Sequence, residues 1–444
     1  MRKRFILYCA AFLFCASLPL EALTLEAALN HALTDNADLQ KSALELSQAV
    51  RNKKYDWNQF SPEIIEPSIS LGHTHPLYPL SASGVNSEGW AWGSVSIGAR
   101  FVFSADKFQT LKNLDASFRA QVLSYDKTRL DLIVAVSNSF YRLLASQLNI
   151  KILSDDVELK KGQHETVLAN YGRGLASELE ALNAEYAYRT AGPVFTAAVN
   201  RYREDLAAFC ILIGLDPKEE PALEGIIESR LLELPSASVL AERYLAQRSD
   251  VLLQQNALEQ ALITNKTGVL GMAPSLSLSE TLTLAPEQNA GLSYGDPALS
   301  GRFSVSLTLP LNSWIPGYPG SVSRKNNADK AAAAEIALKA ARKNAEQDIW
   351  KKANAVARTA ELLESSALNS RIAGRAYELS EQAYRSGLVS QDDLHTANQK
   401  ELEAELAAVN AKVDYLSALY DLASALNMEI YELYELYGAK EVNG

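Results

Sequence analysis

Tyr171-Gly-Arg-Gly174-Leu175-Ala-Ser177-Glu-Leu-Glu180 and Tyr384-Arg-Ser-Gly387-Leu388-Val-Ser390-Gln-Asp392-Asp393 are two copies of one sequence pattern. They lie about 213 residues apart, close to half of the 444-residue chain. A glycine followed by a leucine is typical of a helix end, where the glycine is left-handed and the leucine makes an apolar contact. Each copy therefore predicts the end of a helix, with Leu175 and Leu388 packed against the helix that ends.

A serine three residues after each glycine predicts the start of a second helix. Ser177 and Ser390 are suited to cap that helix. Glu180 and Asp393 stand three residues after their serines, which is the spacing of a capping box. The chain is therefore predicted to contain two copies of one helix–turn–helix unit.

Helical patterns surround both turns. Helices are predicted over 25–60, 106–170, 177–213, 239–268, 321–385 and 390–427. Asn36-Ala-Asp38 in the first of these ranges matches Arg248-Ser-Asp250 in the fourth. At about 1.5 Å per residue, the helices that reach the turns would each extend roughly 95 Å. A hairpin of that length cannot bury itself, so it needs neighbours in a coiled coil or a helical barrel.

Four segments alternate between apolar and small polar residues. They form predicted hairpins at about 67–104 and 274–312, flanked by Trp90, Trp92, Tyr294, Trp314 and Tyr318. Their length of 9–11 residues is what a tilted strand needs to cross a bilayer. A soluble sandwich alternates in the same way. Two hairpins cannot close a barrel, so a membrane sheet would have to be shared between copies of the chain.

The composition indicates an exported, acidic protein. Residues 1–22 are predicted to be a signal peptide, with a basic start at Arg2–Arg4 and a short apolar segment. No later run of about 20 apolar residues predicts a transmembrane helix. The net charge of −11 is unfavourable for binding nucleic acid. Cys210 is the one cysteine after residue 22, so no internal disulfide is expected, and its apolar neighbours predict a buried thiol.

These patterns predict a two-fold internal repeat. The first repeat covers 23–235 and the second covers 236–428, each with a helix, a β-hairpin, a long helix and a return helix. A tail over 429–444 follows, rich in tyrosine from Ile430 to Tyr437, which either packs on the helices or frays.

This order of elements, with its doubled Tyr-x-x-Gly-Leu-x-Ser turn, resembles the TolC-like outer membrane efflux protein family, the outer membrane factors. Leu212-Ile-Gly214-Leu-Asp-Pro217 and Arg248-Ser-Asp250 add to the resemblance, which covers essentially the whole chain after residue 22. It implies a mostly α-helical fold with membrane β-structure. Three chains would form a 12-stranded barrel in the outer membrane, continued by a long α-helical barrel in the periplasm.

The resemblance also implies a function. The chain would be the exit duct of a tripartite efflux or type I secretion system, a passive channel and not an enzyme, without cofactor or metal. Its partners would be two further copies, a periplasmic adaptor (membrane fusion) protein, an inner-membrane pump and outer-membrane lipid, but no nucleic acid. The alternative is a periplasmic or surface helical structural or adhesion protein whose strands form a soluble sandwich. The transported substrate is not encoded in these patterns.

Site residues are carried over from the family by position. Asp393 and Glu180, together with Asp392 and Thr396, would line and gate the periplasmic aperture. The turn residues would form the tips that dock the adaptor: Gly174, Leu175, Ser177, Gly387, Leu388 and Ser390. The sequence departs from the family where a second acid is replaced by Thr396 and a basic residue by Val389. Asp392 and Arg385 are the candidates to compensate, and the sequence leaves open whether a salt-bridge lock exists at the aperture.

Overall fold

The computed structural model describes residues 23–74, 90–227, 230–288 and 294–441. The predicted signal peptide, residues 1–22, lies outside the described residues, as do the side chains of Trp90, Trp92 and Tyr294. The helices are α1 (Leu25–Asp35), α2 (Ala37–Lys54), α3 (Lys107–Gly172), α4 (Glu178–Ile213), α5 (Ala237–Tyr244), α6 (Ser249–Leu270), α7 (Pro319–Arg385), α8 (Gln391–Ala425) and α9 (Ile430–Tyr437). The strands are β1 (Glu63–Thr74), β2 (Trp90–Phe103), β3 (Arg230–Leu232), β4 (Ser275–Gln288), β5 (Tyr294–Thr308) and β6 (Ala439–Glu441). Short 3₁₀ helices occupy Asp56–Phe60, Leu245–Gln247 and Leu311–Ser313.

The described residues divide into two compact units. The first comprises 23–44, 124–251 and 342–441, and the second comprises 45–123 and 252–341. The long helices α3 and α7 contribute residues to both units. None of the helices in the described ranges contains a stretch long and apolar enough to span a bilayer.

Two hydrophobic clusters form the core of the first unit. One packs α1 against α3 and α4 through residues such as Ala28, Phe140 and Phe209. The other joins α5, α7, α8 and α9 and includes Ile349 and Leu433. Cys210 is fully buried and its Sγ donates to the carbonyl oxygen of Glu219 at 3.4 Å. Burial raises the pKa of this thiol, which fits the predicted inert cysteine.

The predicted helix over 25–60 is wrong in one respect, because it is interrupted. Asn36 has extended backbone angles (φ −64°, ψ 126°) between α1 and α2. Its side-chain oxygen accepts from the amide of Leu39, so it caps α2, and its Nδ2 donates to the carbonyl oxygen of Leu212. Asn36 thus ends α1, because its side chain caps α2 and hydrogen-bonds to the end of α4.

The matching position Arg248 interrupts the predicted helix over 239–268 in the same way. Its backbone is extended (φ −64°, ψ 133°) between the 3₁₀ turn and α6. Its guanidinium binds both carboxylate oxygens of Asp250, an oxygen of Asp348 and the carbonyl oxygen of Ala425. Both interruptions therefore bind a carbonyl at the end of a return helix.

The tyrosine-rich tail packs on the first unit, which resolves the choice left open by its sequence. α9 buries Leu433, and Tyr437 lies with its hydroxyl 3.2 Å from that of Tyr244. β6 then pairs antiparallel with β3. The hydroxyl of Tyr415 accepts from the amide of Leu232 and donates to the carbonyl oxygen of Arg230, which joins β3 to α8.

The second unit is built on a four-stranded antiparallel sheet in the order β1-β2-β4-β5. One face carries exposed Ile, Leu, Val and Phe side chains, among them Ile69, Ile97 and Val305. The other face carries small polar residues. There, the hydroxyls of Ser68 and Ser96 and those of Ser279 and Ser304 lie 2.8 Å apart.

The strands are longer than the sequence predicts, because they continue through prolines that the prediction placed outside them. β1 begins at Glu63 although Pro67 lies within it, because the register between β1 and β2 shifts between Ile65 and Ser68. The sequence predicts a loop at about 285–301 between the strands of the second hairpin. β4 and β5 extend into this range, where Pro286 pairs with Pro297. At that level β4 is paired with β5 alone. Proline is tolerated at bulges and at unpaired edges, where no ladder hydrogen bond is lost.

Glu280 interrupts the apolar face. It lies in unbroken register between Ala99 of β2 and Phe303 of β5. Its Oε1 lies 2.9 Å from the position that a Cβ on Gly301 would occupy, so the glycine provides the space for the carboxylate. The alternation places one charged side chain among leucines and valines.

Candidate functional site at the two helical turns

Both turns end their helices in the same left-handed geometry, as predicted. Gly174 has φ +74° and Gly387 has φ +72°. The amide of Leu175 donates to the carbonyl oxygen of Asn170 at 2.8 Å, and that of Leu388 donates to Ala383 at 2.9 Å. Each glycine amide donates to the tyrosine three residues earlier at 2.9 Å. These paired bonds form a Schellman motif, in which glycine avoids the strain of a positive φ.

The predicted apolar contact of Leu175 and Leu388 is wrong. Their side chains are 75% and 79% exposed. In a Schellman motif, the residue after the glycine packs against the position three before the helix end. That position holds Asn170 in one turn and Ala383 in the other, which offer little apolar surface. Both leucines therefore extend into solvent at the tips of the turns.

The predicted capping boxes are present in both copies. Ser177 accepts from the amide of Glu180 at 3.2 Å, and its own amide donates to Oε2 of Glu180 at 2.6 Å. Ser390 accepts from the amide of Asp393 at 3.2 Å, and its amide donates to Oδ2 of Asp393 at 3.1 Å. The serine hydroxyls donate to the same oxygens at 3.0 and 2.7 Å.

Capping changes the titration of both acids. The backbone amide of Ser177, followed by its hydroxyl, lowers the pKa of Glu180. The hydroxyl of Ser390, followed by its amide, lowers the pKa of Asp393. Hydrogen bonds to a carboxylate favour its charged form. Both turns therefore hold an ionised acid at a helix N-terminus near neutral pH.

The neighbouring charged residues do not join the two turns. Arg385 donates to Glu381 of its own helix at 2.6 Å. Asp392 and Thr396 are exposed on the first turns of α8, and Val389 is half-buried. In the described contacts, the candidate Arg385 is therefore engaged on α7 and not with Asp393.

A groove of about 700 Å³ lies between the first helical hairpin (α3 and α4) and the second (α7 and α8). It brings together three of the predicted site residues: Glu180, Ser390 and Asp392. Its apolar lining includes Val167, Leu179, Tyr384 and Leu394. Gly174, Leu175, Ser177, Gly387, Leu388, Asp393 and Thr396 are outside this lining. Ser390 is thus the one tip residue in the lining of this groove.

Sequence reasoning missed a buried polar cluster formed by α3 and α8 away from the turns. Asp156 and Lys160 form an ion pair with Oδ2 and Nζ 2.7 Å apart, and Asn398 of α8 donates to Oδ1 of Asp156 at 3.1 Å. The Asp-x-x-x-Lys spacing is visible in the sequence, but it is also common on solvated helix faces. Among the residues that the structure describes, no group of three or more His, Cys, Asp or Glu is arranged to hold a metal ion.

No protein-family model matches the sequence. Solved structures do match its fold. The Campylobacter jejuni CmeC outer membrane channel gives a TM-score of 0.79 at 18% identity, covering 93% of this chain and 88% of that one. The Vibrio cholerae outer membrane protein VceC gives 0.75 at 15% identity, covering 91% and 96%.

The Neisseria gonorrhoeae MtrE outer membrane channel gives a TM-score of 0.74 at 19% identity, covering 91% of this chain and 89% of that one. Likeness at this level of identity concerns the fold, and it extends over nearly the whole of each chain. The chain has the fold of the TolC-like outer membrane channels.

Proposed function

We propose that the protein is the outer-membrane exit duct of a tripartite efflux system, a passive trimeric channel that reaches from the outer membrane into the periplasm. The observation that carries this proposal is the four-stranded sheet of a chain with the fold of outer membrane channels. Its apolar face is exposed, and β1 and β5 are its two edges. An apolar face and two unpaired edges suit a sheet that is completed by further copies in lipid.

The count of strands favours three copies. Four strands from each of three chains make a 12-stranded barrel, closed by pairing β5 of one copy with β1 of the next. The small Ser, Thr and Gly side chains would then line a wet interior, and the Ile, Leu and Val face would contact lipid. The two-fold repeat, 23–235 and 236–428, would give six helical hairpins around the periplasmic channel.

The exposed tips support a docking role. Leu175 and Leu388, held outward by the left-handed Gly174 and Gly387, would contact a periplasmic adaptor that links the duct to an inner-membrane pump. Large exposed apolar side chains next to polar ones are typical of such contacts. The capping serines Ser177 and Ser390 would hold the shape of each tip.

Ionised acids near the tips support a cation-attracting aperture. Asp393, Glu180 and Asp392 from three copies would give rings of negative charge, which favour cations in a pore. Thr396 adds no charge, so the entrance would be less charged than the family pattern. No step is catalytic in this proposal, and the substrate would be selected by the pump. A type I secretion system is the second setting in which the same duct would serve.

Fractionation of cells that express the full chain tests the duct against the alternative of a periplasmic or surface helical protein. We expect the mature protein in the outer-membrane fraction, extracted only by detergent, as a trimer that dissociates on gels after heating. Release as a soluble monomer by osmotic shock would contradict the duct and favour the structural or adhesion protein.

A further inference from the structure

Two arginines interrupt the small polar face of the four-stranded sheet. Arg100 of β2 pairs with Ser279 of β4, which pairs in turn with Ser304 of β5. Arg302 of β5 pairs with Thr281 of β4. Residues that pair directly across strands share a face of the sheet, and so do residues two positions apart on one strand. Both arginines therefore stand on the face where the hydroxyls of Ser279 and Ser304 meet.

The two arginines belong to one patch, which we call the basic patch. They stand on strands separated by β4, and their paired positions on β4 differ by two residues. With strands about 4.8 Å apart and a rise of about 3.3 Å per residue, the two Cβ atoms are about 12 Å from each other. Ser279 lies between them, directly across from Arg100 and diagonal to Arg302.

The side chains of the basic patch are exposed. Among the residues that the structure describes, no hydrogen bond or ion pair engages Arg100 or Arg302. Glu63 pairs with Arg100 across β1 and β2 and so shares the polar face. The other acids of this sheet whose side chains are described are Glu66, in the bulge of β1, and Glu280, on the apolar face. With two arginines against Glu63, the polar face carries an excess of positive charge.

The face on which the arginines stand decides what they can contact. A basic residue on the lipid face of a membrane barrel destabilises it, whereas a charge on the inner face changes selectivity. In the proposed duct, the apolar face would contact lipid and the polar face would line the wet interior. Three copies, each with Arg100 and Arg302, would then bring six guanidinium groups into that interior.

Unpaired guanidinium groups suit anions. Their planar N–H donors match the oxygens of carboxylates and phosphates, and rings of basic residues favour anions in pores. We infer that Arg100 and Arg302 form an anion-attracting zone inside the barrel, which interacts with solutes that carry carboxylate or phosphate groups as they leave. This role rests on the proposed duct.

The basic patch and the acids at the turns would act separately. In the proposed duct, the sheet and the turns lie at opposite ends of the long helices. A charge in 0.1 M salt acts over about 10 Å. Solutes would therefore meet a negative aperture first and a positive zone later, so the test has to measure the potential at the sheet itself.

The reactivity of a thiol beside the basic patch measures this potential. Ser279→Cys in the Cys210→Ser background places one thiol there in the full-length protein, extracted in a neutral detergent. The rates of labelling with an anionic sulfonatoethyl and a cationic trimethylammonioethyl methanethiosulfonate are compared, because their ratio cancels changes in the ionisation of the thiol. We expect Arg100→Gln/Arg302→Gln to lower the ratio of anionic to cationic labelling about fivefold, the upper effect of one exposed charge pair.

Ser94→Cys is the matched control on the same face. It stands six residues from Arg100 on β2, about 20 Å away at about 3.3 Å per residue. Its labelling ratio should be the same with and without the two arginines, because salt screens charges at that distance. Arg100→Lys/Arg302→Lys should keep the preference of Ser279→Cys for the anionic reagent, since the charge is retained.

An unchanged ratio at Ser279→Cys in the glutamine variant, or an equal change at Ser94→Cys, would overturn the inference. A double variant that fails to fold is replaced by Arg302→Gln alone, for which an unchanged ratio overturns it as well. Pores in planar bilayers without a preference for the anionic reagent would contradict the inference and leave the duct supported. That preference in a protein that forms no pores would contradict the duct, and the basic patch would remain an anion-attracting surface.

Discussion

Each acid at the twin turns caps a helix, and in the proposed duct the same side chain would also carry charge at the aperture. Glu180 and Asp393 each bind the amide and the hydroxyl of a serine, yet both are open to solvent on their other side. The capping task is a property of one chain. The electrostatic task depends on further copies, since a ring of charge requires several chains around an axis.

Acid should weaken both caps. Each acid has a lowered pKa in the folded chain, so its contribution is complete above the unfolded value and is lost as the pH falls through the folded value. The unfolded values are about 4.3 for Glu and 3.9 for Asp, so the loss is expected below about pH 4. We expect Glu180→Gln/Asp393→Asn to speed hydrogen exchange at the turns relative to the wild type at pH 6, and to do so less at pH 3.

Comparing the two proteins at one pH cancels the intrinsic dependence of exchange on pH. Glu178→Gln is the control, because Glu178 lies in the same first turn outside the capping box. A difference between wild type and double variant that persists unchanged at pH 3 would show that charge does not stabilise the caps.

Asp393 should also influence ion selectivity. Asp393→Asn keeps a side chain that can cap a helix but removes the charge. We expect the cation preference of single channels in planar bilayers to fall, while the helical content stays the same. Asp414→Asn, at an exposed acid further along α8, serves as the control. An unchanged cation preference in the Asp393→Asn channel would remove Asp393 from the aperture.

Local sequence rules predicted the glycines and capping boxes because those motifs are formed within a few consecutive residues. The exposure of Leu175 and Leu388 depended on what Asn170 and Ala383 offer as a surface, which the turn motif does not specify. Burial of Asp156 and Lys160 could not be predicted, because the same spacing occurs on solvated helices and the partner Asn398 is 242 residues away.

At the scale of elements, breaks in helices are set by contacts from distant residues. Asn36 and Arg248 stand at matching positions, and both bind a carbonyl oxygen at the end of a return helix. Neither is a proline or a glycine, so periodicity alone predicted uninterrupted helices at 25–60 and 239–268. The match between Asn36-Ala-Asp38 and Arg248-Ser-Asp250 was visible, but its meaning as an interruption required the tertiary partners.

Arg248 should contribute more to stability than a surface arginine. Its side chain is 11% exposed and binds Asp250 and Asp348, whose carboxylates are partly exposed. We expect Arg248→Met to destabilise the protein by about 1–3 kcal/mol, below the effect of breaking a fully buried pair because solvent screens both acids. Denaturant unfolding followed by circular dichroism measures the change.

Arg201→Met is the matched control, because Arg201 is 84% exposed and lies 3.9 Å from Asp205. Its effect should stay below about 0.5 kcal/mol. Equal effects of the two substitutions would mean that the Arg248 contacts do not stabilise the junction of α5, α6 and α8.

At the scale of the molecule, the apolar face of the sheet should contact lipid, and Glu280 is the residue that tests this. A carboxylate in that face costs free energy in a bilayer, although less than a basic residue does. We expect Glu280→Leu to stabilise the membrane-inserted protein by about 1–2 kcal/mol, measured by guanidinium unfolding from lipid vesicles. Thr281→Val, on the opposite face, is the control. A destabilised Glu280→Leu protein would contradict lipid contact at this face.

The sequence predicted the strands and their alternation, but not the pairing of the two edge strands. In the proposed barrel, closure would depend on how β1 of one chain pairs with β5 of another, which no local pattern encodes. The predicted strands were too short near the prolines at 67, 286 and 297. A proline ends a strand only where a partner strand needs its missing N–H, and the sequence does not show where the partner strands lie.

The number of chains around the sheet is the most direct test of the proposed duct. Electron cryo-microscopy of the protein extracted from outer membranes would show it. We expect three chains around one axis, with β5 of each paired to β1 of the next in a closed barrel of 12 strands. A single chain with its sheet packed face to face against another layer, or a sheet with both edges open, would contradict the duct.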